Sequence, residues 1–552
     1  MNNPINIKVI FRYGVLFSEF RLFTVLITGL ILSTVLATGI VCAPLHSSSL
    51  TDDSTKDVIA PIVVPFNMPQ LQRPVFPHNE FNIVDAGAIE GGKVKCTQAI
   101  QSTIKKAVNA GGGTVIIPKG TWLTGAIRLE NNINLHLVKD AVLLFSQDTS
   151  DYLPVVFSRH EDVECYKYSS FIYAVGKENI AITGEGTLDG QGKPWWVYKS
   201  DKKEEVLNTM GNNNIPVSER VFDGKNGQRL RPAFFQPMNC KNILVEGVTF
   251  KYGAFWTITP TYCENVIVRK VRIETEGEYG HTPNGDGVDP SSSRNVLIED
   301  CIFDTGDDCI AIKAGRDTDG IRVNKPTENI VVRNCRGLRG HGGIVIGSET
   351  SGSIRNIYAE NCQFSGTDRI VRIKTARGRG GVLENMWFKN MTGDNIQLEA
   401  IHLNMLYTGK RLPSQPVTKA TPSLRNIHFD GITCTSGKSY AIEILGIPEM
   451  LVENVTFNNI VATSEKGVNI SDAKQIEITN SSFTPTTFPL MTITDGSEIT
   501  INSLIVPSST EKLLNVEGAA SVNIKIQNTV ITNPEKAISL GEHVSPQAVK
   551  VE

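Results

Sequence analysis

Acidic residues are concentrated in residues 284–308, where the sequence reads NGDGVDPSSSRNVLIEDCIFDTGDD. Six Asp and one Glu fall within these 25 positions, with apolar residues between them. Grouped carboxylates can serve as turn residues, as ligands for a cation, or as the acid and base of a reaction. Which of these roles applies depends on the secondary-structure elements that position the side chains.

The secondary structure can be predicted from a repeated segment that begins with Asn and continues with Ile, Val or Met. From residue 242 to residue 385 the copies are spaced by 23 to 34 residues and contain alternating apolar and polar positions. Variable spacing and period-two alternation predict a solenoid of short strands joined by turns of different length. The repeats begin at Asn179, Asn242, Asn265, Asn295, Asn329, Asn356, Asn385, Asn426 and Asn454.

A second column of residues supports an all-β fold. The residue six positions after the repeat Asn is apolar in eight successive copies, as expected for side chains that face the interior of stacked coils. The members of this column are Val248, Val271, Cys301, Cys335, Cys362, Met391, Ile432 and Ile460. We therefore predict a right-handed parallel β-helix, the hand that parallel crossovers prefer.

The ten cysteines are predicted to be mainly core residues. Three of them stand in the interior column, and Cys240 and Cys263 each precede a repeat Asn by two positions. None of these five belongs to a CxxC pair, so no metal site and no cofactor are predicted. A disulfide between neighbouring coils stays open.

The repeat places the titratable residues of successive coils on one ladder. Asp307 and Asp308 follow Asn295 by 12 and 13 positions, and His341 follows Asn329 by 12. The coil before has a longer loop, and alignment of Val288 with Ile310 puts Asp286 beside Asp308. The coil after His341 adds two cations on the outer face, Arg372 and Lys374.

This stripe of side chains suits acid–base chemistry on an anionic substrate. Carboxylates held close together repel, which raises the pKa of at least one and lets a protonated acid coexist with an ionised base. Glycoside hydrolysis needs that pair, one carboxyl to protonate the leaving oxygen and another to activate water. Arg372 and Lys374 would hold a sugar carboxylate, and His341 would tune the acid. An isolated DG, GDD or HGG is typical of a turn and a lone RxK of a solvated strand face, but their grouping favours a site for a uronic acid chain.

Four ordered motifs resemble the polygalacturonases of glycoside hydrolase family 28. They are NGD at 284–286, GDDC at 306–309, GHGG at 340–343 and RIK at 372–374, and the resemblance extends over about residues 81–468. Two positions depart from the family pattern: Gly285 stands where Thr is common, and Ile370 where Gly often precedes RIK.

The resemblance implies a role for each motif residue. Hydrolysis would invert the anomeric centre, with Asp307 as the general acid and Asp286 and Asp308 holding and activating the water. His341 would support the acid. The substrate-binding set implied by the motifs is Asn284, Gly342, Arg372 and Lys374. The other acidic residues of the stretch, Asp289, Asp300 and Asp304, are assigned to turns and coil corners.

The resemblance also implies pectin or polygalacturonate as substrate. The segments GRDTDGIRVNKPTEN and GSETSG are similar to the exo-acting branch, where a longer loop could block one end of the cleft. An endo-acting enzyme is the alternative. Two other functions stay open: a calcium-dependent pectate lyase, and a solenoid that binds polysaccharide without catalysis.

The N-terminus is predicted to direct export. Lys8, Arg12 and Arg21 precede an apolar run of 21 residues at 22–42, which indicates a signal peptide over 1–43 or an uncleaved anchor. We predict a linker over 44–77, an N-terminal cap with the first coils over 78–150, and the catalytic β-helix with closing coils over 151–552.

Two further expectations concern the surroundings of the protein. The predicted location is secreted or periplasmic, and membrane contact is expected only if the N-terminal segment is uncleaved. The formal charge of -3 argues against nucleic acid as a partner. A helix at 97–110 would place Ala99, Ile100, Ile104, Ala107 and Val108 on one face and cap the solenoid.

Overall fold

The repeated segments form parallel strands that stack along one axis. In this computed structural model, which describes residues 58–508 and 510–552, Ile243 pairs with Val266, Val266 with Val296, and Val296 with Ile330. The same register continues in both directions, and the chain forms the predicted right-handed parallel β-helix. Residues 59–552 make up one compact unit.

The strands of the coils form three stacks. The repeat stack contains Glu80–Asn82, Gly113–Ile117, Ile133–Leu137, Glu178–Gly184, Lys241–Glu246, Glu264–Arg269, Arg294–Glu299, Thr327–Arg333, Ile354–Glu360, Val452–Asn458, Val522–Gln527 and Val549–Val551. The second stack contains Gly120–Thr124, Ala141–Phe145, Thr187–Asp189, Thr249–Lys251, Arg272–Glu274, Ile302–Asp304, Arg336–Arg339, Gln363–Ser365 and Ser482–Pro485. The third, here called the cleft stack, contains Ile127–Arg128, Ile172–Val175, Phe235–Met238, Ile310–Ile312, Ile344–Ile346, Val371–Lys374, Ile401–Asn404, Leu514–Glu517 and Ile538–Leu540. Strands that bend through a corner into another stack are Val382–Asp394, Ser423–Leu445, Val461–Thr479 and Met491–Asn502.

The repeat Asn has a structural role that the repeat pattern does not reveal. All nine residues have a left-handed backbone, with φ between 53° and 60°. Asn is one of the few residues that tolerates this conformation. Their side-chain amides also bond from coil to coil, for example from Asn265 to Asn242 at 3.0 Å and from Asn295 to Asn265 at 3.1 Å. The repeat is therefore a ladder that bends each coil and links it to the next.

The interior follows the predicted column. All eight side chains that stand six positions after a repeat Asn are at most 2% exposed. Further along the axis, the rings of Phe388, Phe429 and Phe457 stack at centroid distances of 5.0 Å. Each cysteine in the described ranges is a buried free thiol, which confirms the core assignment of Cys240, Cys263 and the cysteines of the column.

A helix caps the first coils, as predicted. Helix α1 spans Thr97–Asn109 and buries Ala99, Ile100, Ile104 and Ala107. Val108 is 37% exposed, so its assignment to the buried face is wrong. The periodicity places Val108 at the edge of the apolar stripe, where the first coils do not reach it.

The predicted linker is corrected for its second half. Residues 59–76 form an extended strap against the outer face of the repeat stack, where Leu71 is 4% exposed. The Arg333 guanidinium donates to the carbonyl oxygens of Ala60 and Pro61, both at 3.0 Å. Proline-rich composition suggested a free linker, but the apolar residues between the prolines cover an apolar stripe. The signal segment and residues 44–57 lie outside the described residues.

Insertions from three parts of the chain lie beside the cleft stack. The hairpin Val156–His160 with Val163–Lys167 is extended by Val221–Phe222. The second insertion, here called the arm, comprises residues 193–231 and contains helices α2 (Lys193–Trp196) and α3 (Lys203–Asn212).

The third insertion is the segment after the GDD motif, which forms helix α4 (Asp317–Val323). Its Asp319 accepts a bond from Arg220 at 2.7 Å and another from the Glu164 amide at 3.0 Å. The three insertions are thereby joined. Elsewhere, the short hairpin Glu276–Gly277 with Gly280–His281 precedes the first motif, and helix α5 (Pro534–Ala537) lies among the last coils. In the part of the chain that is described, no helix is both long and apolar enough to span a bilayer.

Candidate active site

The cleft stack brings the predicted catalytic residues into register. Val288 pairs with Ile310, and Ile310 pairs with Ile344, which confirms the alignment made from alternation. The residues two positions earlier therefore lie on adjacent coils: Asp286, Asp308 and Gly342. The same ladder continues from Ile344 to Val371, next to Arg372.

Three carboxylates meet at this point. Asp286, Asp307 and Asp308 each offer one oxygen within 4.8 Å of the others. Asp286 and Asp308 are 2% and 1% exposed. The Asp307 side chain is more open, at 17%. The structure thus places two carboxylates deep in the coil and a third towards solvent.

The buried carboxylates differ in their cationic partners. Asp286 Oδ2 lies 3.5 Å from Lys313 Nζ, and Asp308 Oδ2 accepts a bond from Lys374 Nζ at 2.8 Å. The other oxygen of each carboxylate, Oδ1, is buried and has no hydrogen-bond partner in the protein. A buried carboxylate oxygen requires a donor, and a bound water or a sugar hydroxyl could supply one.

The pKa values separate the carboxylates, but not as the sequence predicts. Burial and the charge of Asp307 raise the pKa of Asp286 well above its ordinary value. Burial also acts to raise the pKa of Asp307, but the hydrogen bond and charge of His341, with Lys374, outweigh it and lower that pKa. The raised pKa expected for one of the carboxylates is therefore that of Asp286, and not that of Asp307, the residue assigned as the acid. The reason is the neighbouring imidazole, whose effect on the proton is not visible in sequence.

Asp307 and His341 form a pair that holds one proton between them. His341 Nδ1 lies 3.0 Å from Asp307 Oδ1, and this hydrogen bond raises the pKa of His341 to about 9. In the unliganded protein the proton resides on the imidazole. The two groups titrate as a unit because each changes the other's charge.

The two cations of the RIK motif have different surroundings. The Lys374 side chain is 7% exposed and its ammonium is bonded to Asp308. Arg372 is half-buried, its guanidinium lies 6.0 Å from the Tyr407 ring centroid, and its Nε has no partner. Among the described residues Arg372 makes no ion pair, whereas Lys374 compensates the charge of a carboxylate.

The remaining motif residues shape the site. Asn284 has φ +52° and accepts a bond from Arg231 at 2.7 Å. A Cβ on Gly342 would lie 2.5 Å from Val345 Cγ2 and 3.7 Å from Asp308 Oδ1, so only glycine fits between them.

Both departures from the motif pattern have a steric explanation. A Cβ at Gly285 would lie 2.8 Å from Thr275 Oγ1 and 2.8 Å from the carbonyl oxygen of Thr282, which leaves no room for a side chain. Ile370 is fully buried, and a Cβ at Gly393 would lie 2.3 Å from its Cδ1. The glycine at 393 thus provides the space for the larger residue at 370.

Two charged residues of the site were missed by sequence reasoning. Lys313 is 3% exposed and lies between Asp286 and Glu349, at 3.5 and 3.4 Å, with its ammonium 4.8 Å from the Trp256 ring centroid. Burial would raise the pKa of Glu349, but Lys313 and Arg379 lower it to about 2. Lys313 could have been found because its strand aligns with the RIK strand, but nothing in the sequence around Glu349 signals its position.

The assignment of three other acidic residues to turns holds only in part. Asp300 has φ +57° at a coil corner, and Asp304 is paired with Arg339. Asp289 instead lies within the cleft stack: its amide bonds to the carbonyl of Ile258 at 2.8 Å, and the residue is fully buried with neither carboxylate oxygen partnered. Burial and the charge of Asp286 raise its pKa well above the ordinary value.

A cavity of about 240 Å³ extends from the carboxylates. Its lining includes one residue from each insertion: Glu161 of the hairpin, Lys199 of the arm and Arg316 at the start of α4. The walls are strongly charged, since they also contain Lys313, Glu349, Lys374 and Arg379.

The three carboxylates could also coordinate a cation, since one oxygen of each lies within 4.8 Å of the others. Two further groups meet the same distance criterion, His160 with Glu161 and Glu204, and Glu399 with His402 and Glu443. At Asp286 and Asp308, Lys313 and Lys374 already supply positive charge. A divalent ion would have to compete with these ammonium groups.

Replacement of His341 by Gln should move the alkaline limb of kcat/KM to lower pH. In the wild type the pair retains its proton until the pH approaches about 9, the pKa of His341. In the variant Asp307 must hold the proton alone, and a carboxyl releases it at lower pH. Initial rates between pH 4 and 10 measure the limb. An unchanged limb in His341→Gln would contradict the shared proton.

Comparison with known proteins gives a consistent assignment. The sequence profile described as "Glycosyl hydrolases family 28" matches residues 117–472. The chain is 29% identical over 429 residues to a probable polygalacturonase of Vitis vinifera, covering 75% of this chain and 80% of that protein. It is 28% identical over 437 residues to an exo-poly-alpha-D-galacturonosidase of Dickeya chrysanthemi, covering 73% and 70%.

Solved structures agree with these sequence matches. An exopolygalacturonase from Thermotoga maritima superposes with a TM-score of 0.67 at 35% identity, covering 80% of this chain and 94% of that one. A family 28 exopolygalacturonase from Yersinia enterocolitica gives a TM-score of 0.64 at 25% identity, covering 77% and 78%. With the motifs on one ladder and the profile matching more than half of its length, the chain belongs to glycoside hydrolase family 28.

Proposed function

We propose that the protein hydrolyses the α-1,4-galacturonosyl linkages of polygalacturonate, removing residues from chain ends. The observation that carries the proposal is the set of three carboxylates within 4.8 Å, two with an unpartnered buried oxygen and one paired with His341. This set provides a proton donor and a place to hold water.

The proposed reaction is a single displacement. The Asp307–His341 pair delivers its proton through Asp307 to the glycosidic oxygen, and the bond to the anomeric carbon breaks. A water held by Asp286 and Asp308 attacks that carbon from the opposite face and gives one proton to a carboxylate. The unpartnered Oδ1 atoms of both residues support this water position, since each needs a donor.

The charged walls support a uronate substrate. Arg372 is half-buried beside the carboxylate ladder and makes no ion pair among the described residues, so its guanidinium could bind a sugar carboxylate without losing an existing partner. Asn284, Gly342 and Lys374 complete the proposed substrate-binding set. The relatives and solved structures named above carry polygalacturonase or exopolygalacturonase in their names.

Exo action is supported by the insertions. Glu161, Lys199 and Arg316 come from three separate insertions and line one cavity with the carboxylates. Their connection through Asp319 supports a fixed wall at one end of the cleft. A polymer then enters only by its end. The charged segment before the apolar run at 22–42 supports export, to a secreted or periplasmic location.

Two measurements on polygalacturonate test the proposal. Chromatography of early products should show monomer or dimer alone, and a broad ladder of oligomers would establish endo action. Proton NMR at early times should show the β-anomer, the product of inversion at an α-linkage. An early α-anomer would instead assign a double displacement, in which a carboxylate attacks the anomeric carbon before water does.

A chelator separates hydrolysis from calcium-dependent elimination. The hydrolase should keep its activity in excess EDTA, and its products should lack the ultraviolet absorbance of a conjugated double bond. Loss of activity in EDTA, together with absorbing products, would assign a lyase that uses the acidic cluster for calcium.

A further inference from the structure

Arg231, at the end of the arm, is buried against the turn that carries the first motif. The residue is 1% exposed, although it belongs to no family motif. Its Nη2 donates to Asn284 Oδ1 at 2.7 Å, and its Nη1 donates to the carbonyl oxygen of Pro283 at 2.5 Å. One guanidinium therefore holds two acceptors of a single turn, which its planar fork does better than an ammonium.

The turn is the support of Asp286. Asn284 adopts φ +52°, and the main chain passes from it to the carboxylate within two residues. Besides Arg231, the turn is held by Thr275, whose Oγ1 donates to the Gly285 carbonyl at 2.6 Å. Asp286 then joins the cleft stack, where its carbonyl accepts the Thr257 amide at 3.0 Å.

The other side of Arg231 faces the arm and the preceding coil. Glu204, which is 8% exposed on helix α3, lies 3.4 Å from Nη2. The guanidinium lies 4.9 Å from the centroid of the Phe255 ring. Lys199, on the same arm, lines the cavity. One side chain therefore contacts both helix α3 of the arm and the turn that carries Asp286.

We propose that Arg231 is a positioning residue that fixes Asp286 through the turn at 283–284 and makes this placement conditional on docking of the arm. The inference rests on the proposed function, because it assigns Asp286 to the reaction. Arg231 does not touch the reacting atoms. It acts through Asn284 and the main chain.

Arg231→Met and Arg231→Lys test the proposal in the full chain on polygalacturonate. Small displacements at a catalytic group cost rate, so Arg231→Met should lower kcat about thirtyfold with KM changed less than about threefold. Lysine can reach one of the two acceptors, so Arg231→Lys should lose about tenfold. Guanidinium ion added to Arg231→Met should restore part of kcat by entering the vacated space.

Arg269→Met is the matched control. Arg269 is 4% exposed and paired with Glu246 and Glu299 on the outer side of the solenoid, away from the cleft stack. The Arg269→Met variant should have a lower melting temperature but a kcat within about twofold of the wild type. The inference would be overturned if both Arg231 variants had the wild-type kcat. It would also be overturned if guanidinium did not restore kcat in Arg231→Met and Arg231→Lys were fully active. If Arg231→Met does not fold, a fully active Arg231→Lys overturns it. A wild type inactive on polygalacturonate would instead refute the proposed function.

Discussion

Replacement of Asp307 by Asn lowers kcat on polygalacturonate by at least about 10³-fold, or about 4 kcal/mol in the barrier. The amide cannot deliver a proton to the leaving oxygen, and it removes the charge that keeps the proton on His341. The side chain keeps its size, so the fold and substrate binding should be retained. Release of reducing ends measures the rate, and KM should change little.

The leaving group distinguishes the acid from the other two carboxylates. An aryl galacturonide with an acidic phenol departs without protonation, so Asp307→Asn should be far less impaired on it than on polygalacturonate. Asp286→Asn should be impaired on both substrates, because water activation is needed in either case. If both variants lost kcat equally on both substrates, Asp307 would not be the general acid.

Asp300→Asn provides the control for these substitutions. Asp300 is exposed at a coil corner with φ +57°, and it accepts a bond from Asn334 at 3.1 Å. Asn tolerates the same backbone conformation, so the variant should retain wild-type kcat. Full turnover of Asp307→Asn beside such a control would support the alternative of a binding solenoid with no catalysis at these residues.

Replacement of Lys313 by Met should lower kcat/KM at pH 6 about 100-fold and move its acid limb to higher pH. The ammonium lies 3.5 Å from Asp286 Oδ2 and is the cation of that carboxylate in the buried site. Burial already raises the pKa of Asp286, and loss of the cation would raise it further. More of the enzyme then carries a protonated base at pH 6. Measurement of kcat/KM from pH 4 to pH 9 gives the position of the limb.

The double variant Lys313→Met/Glu349→Gln isolates the electrostatic cause. Glu349 Oε2 lies 3.4 Å from Lys313 Nζ and is buried, so its charge is left uncompensated in the single variant. Removal of that negative charge should bring the acid limb back part of the way towards the wild-type position. If both variants show the wild-type limb, Lys313 does not set the protonation of Asp286.

The solenoid and the order of the motif residues could be predicted because they follow from local repetition. The repeat Asn marks each coil, and alternation indicates which residues face inwards, so Asp286 could be aligned with Asp308 across a loop of unusual length. The strap could not be predicted in the same way. Its prolines indicate an extended chain in any context, and only the apolar face of the repeat stack decides that Leu71 is covered.

The sequence alone therefore determined the parallel β-helix, the ladder of Asp286, Asp307, Asp308 and His341, and the resemblance to a family of pectin hydrolases. The tertiary structure decided which carboxyl has the raised pKa, that Asp289 is a buried acid, and that Lys313 and Arg231 support Asp286. The physical reason is that burial and charge compensation arise between coils and insertions. Arg231 and Asn284 are 53 residues apart, and Asp308 and Lys374 are 66 apart, so their contacts exist only after the coils have stacked.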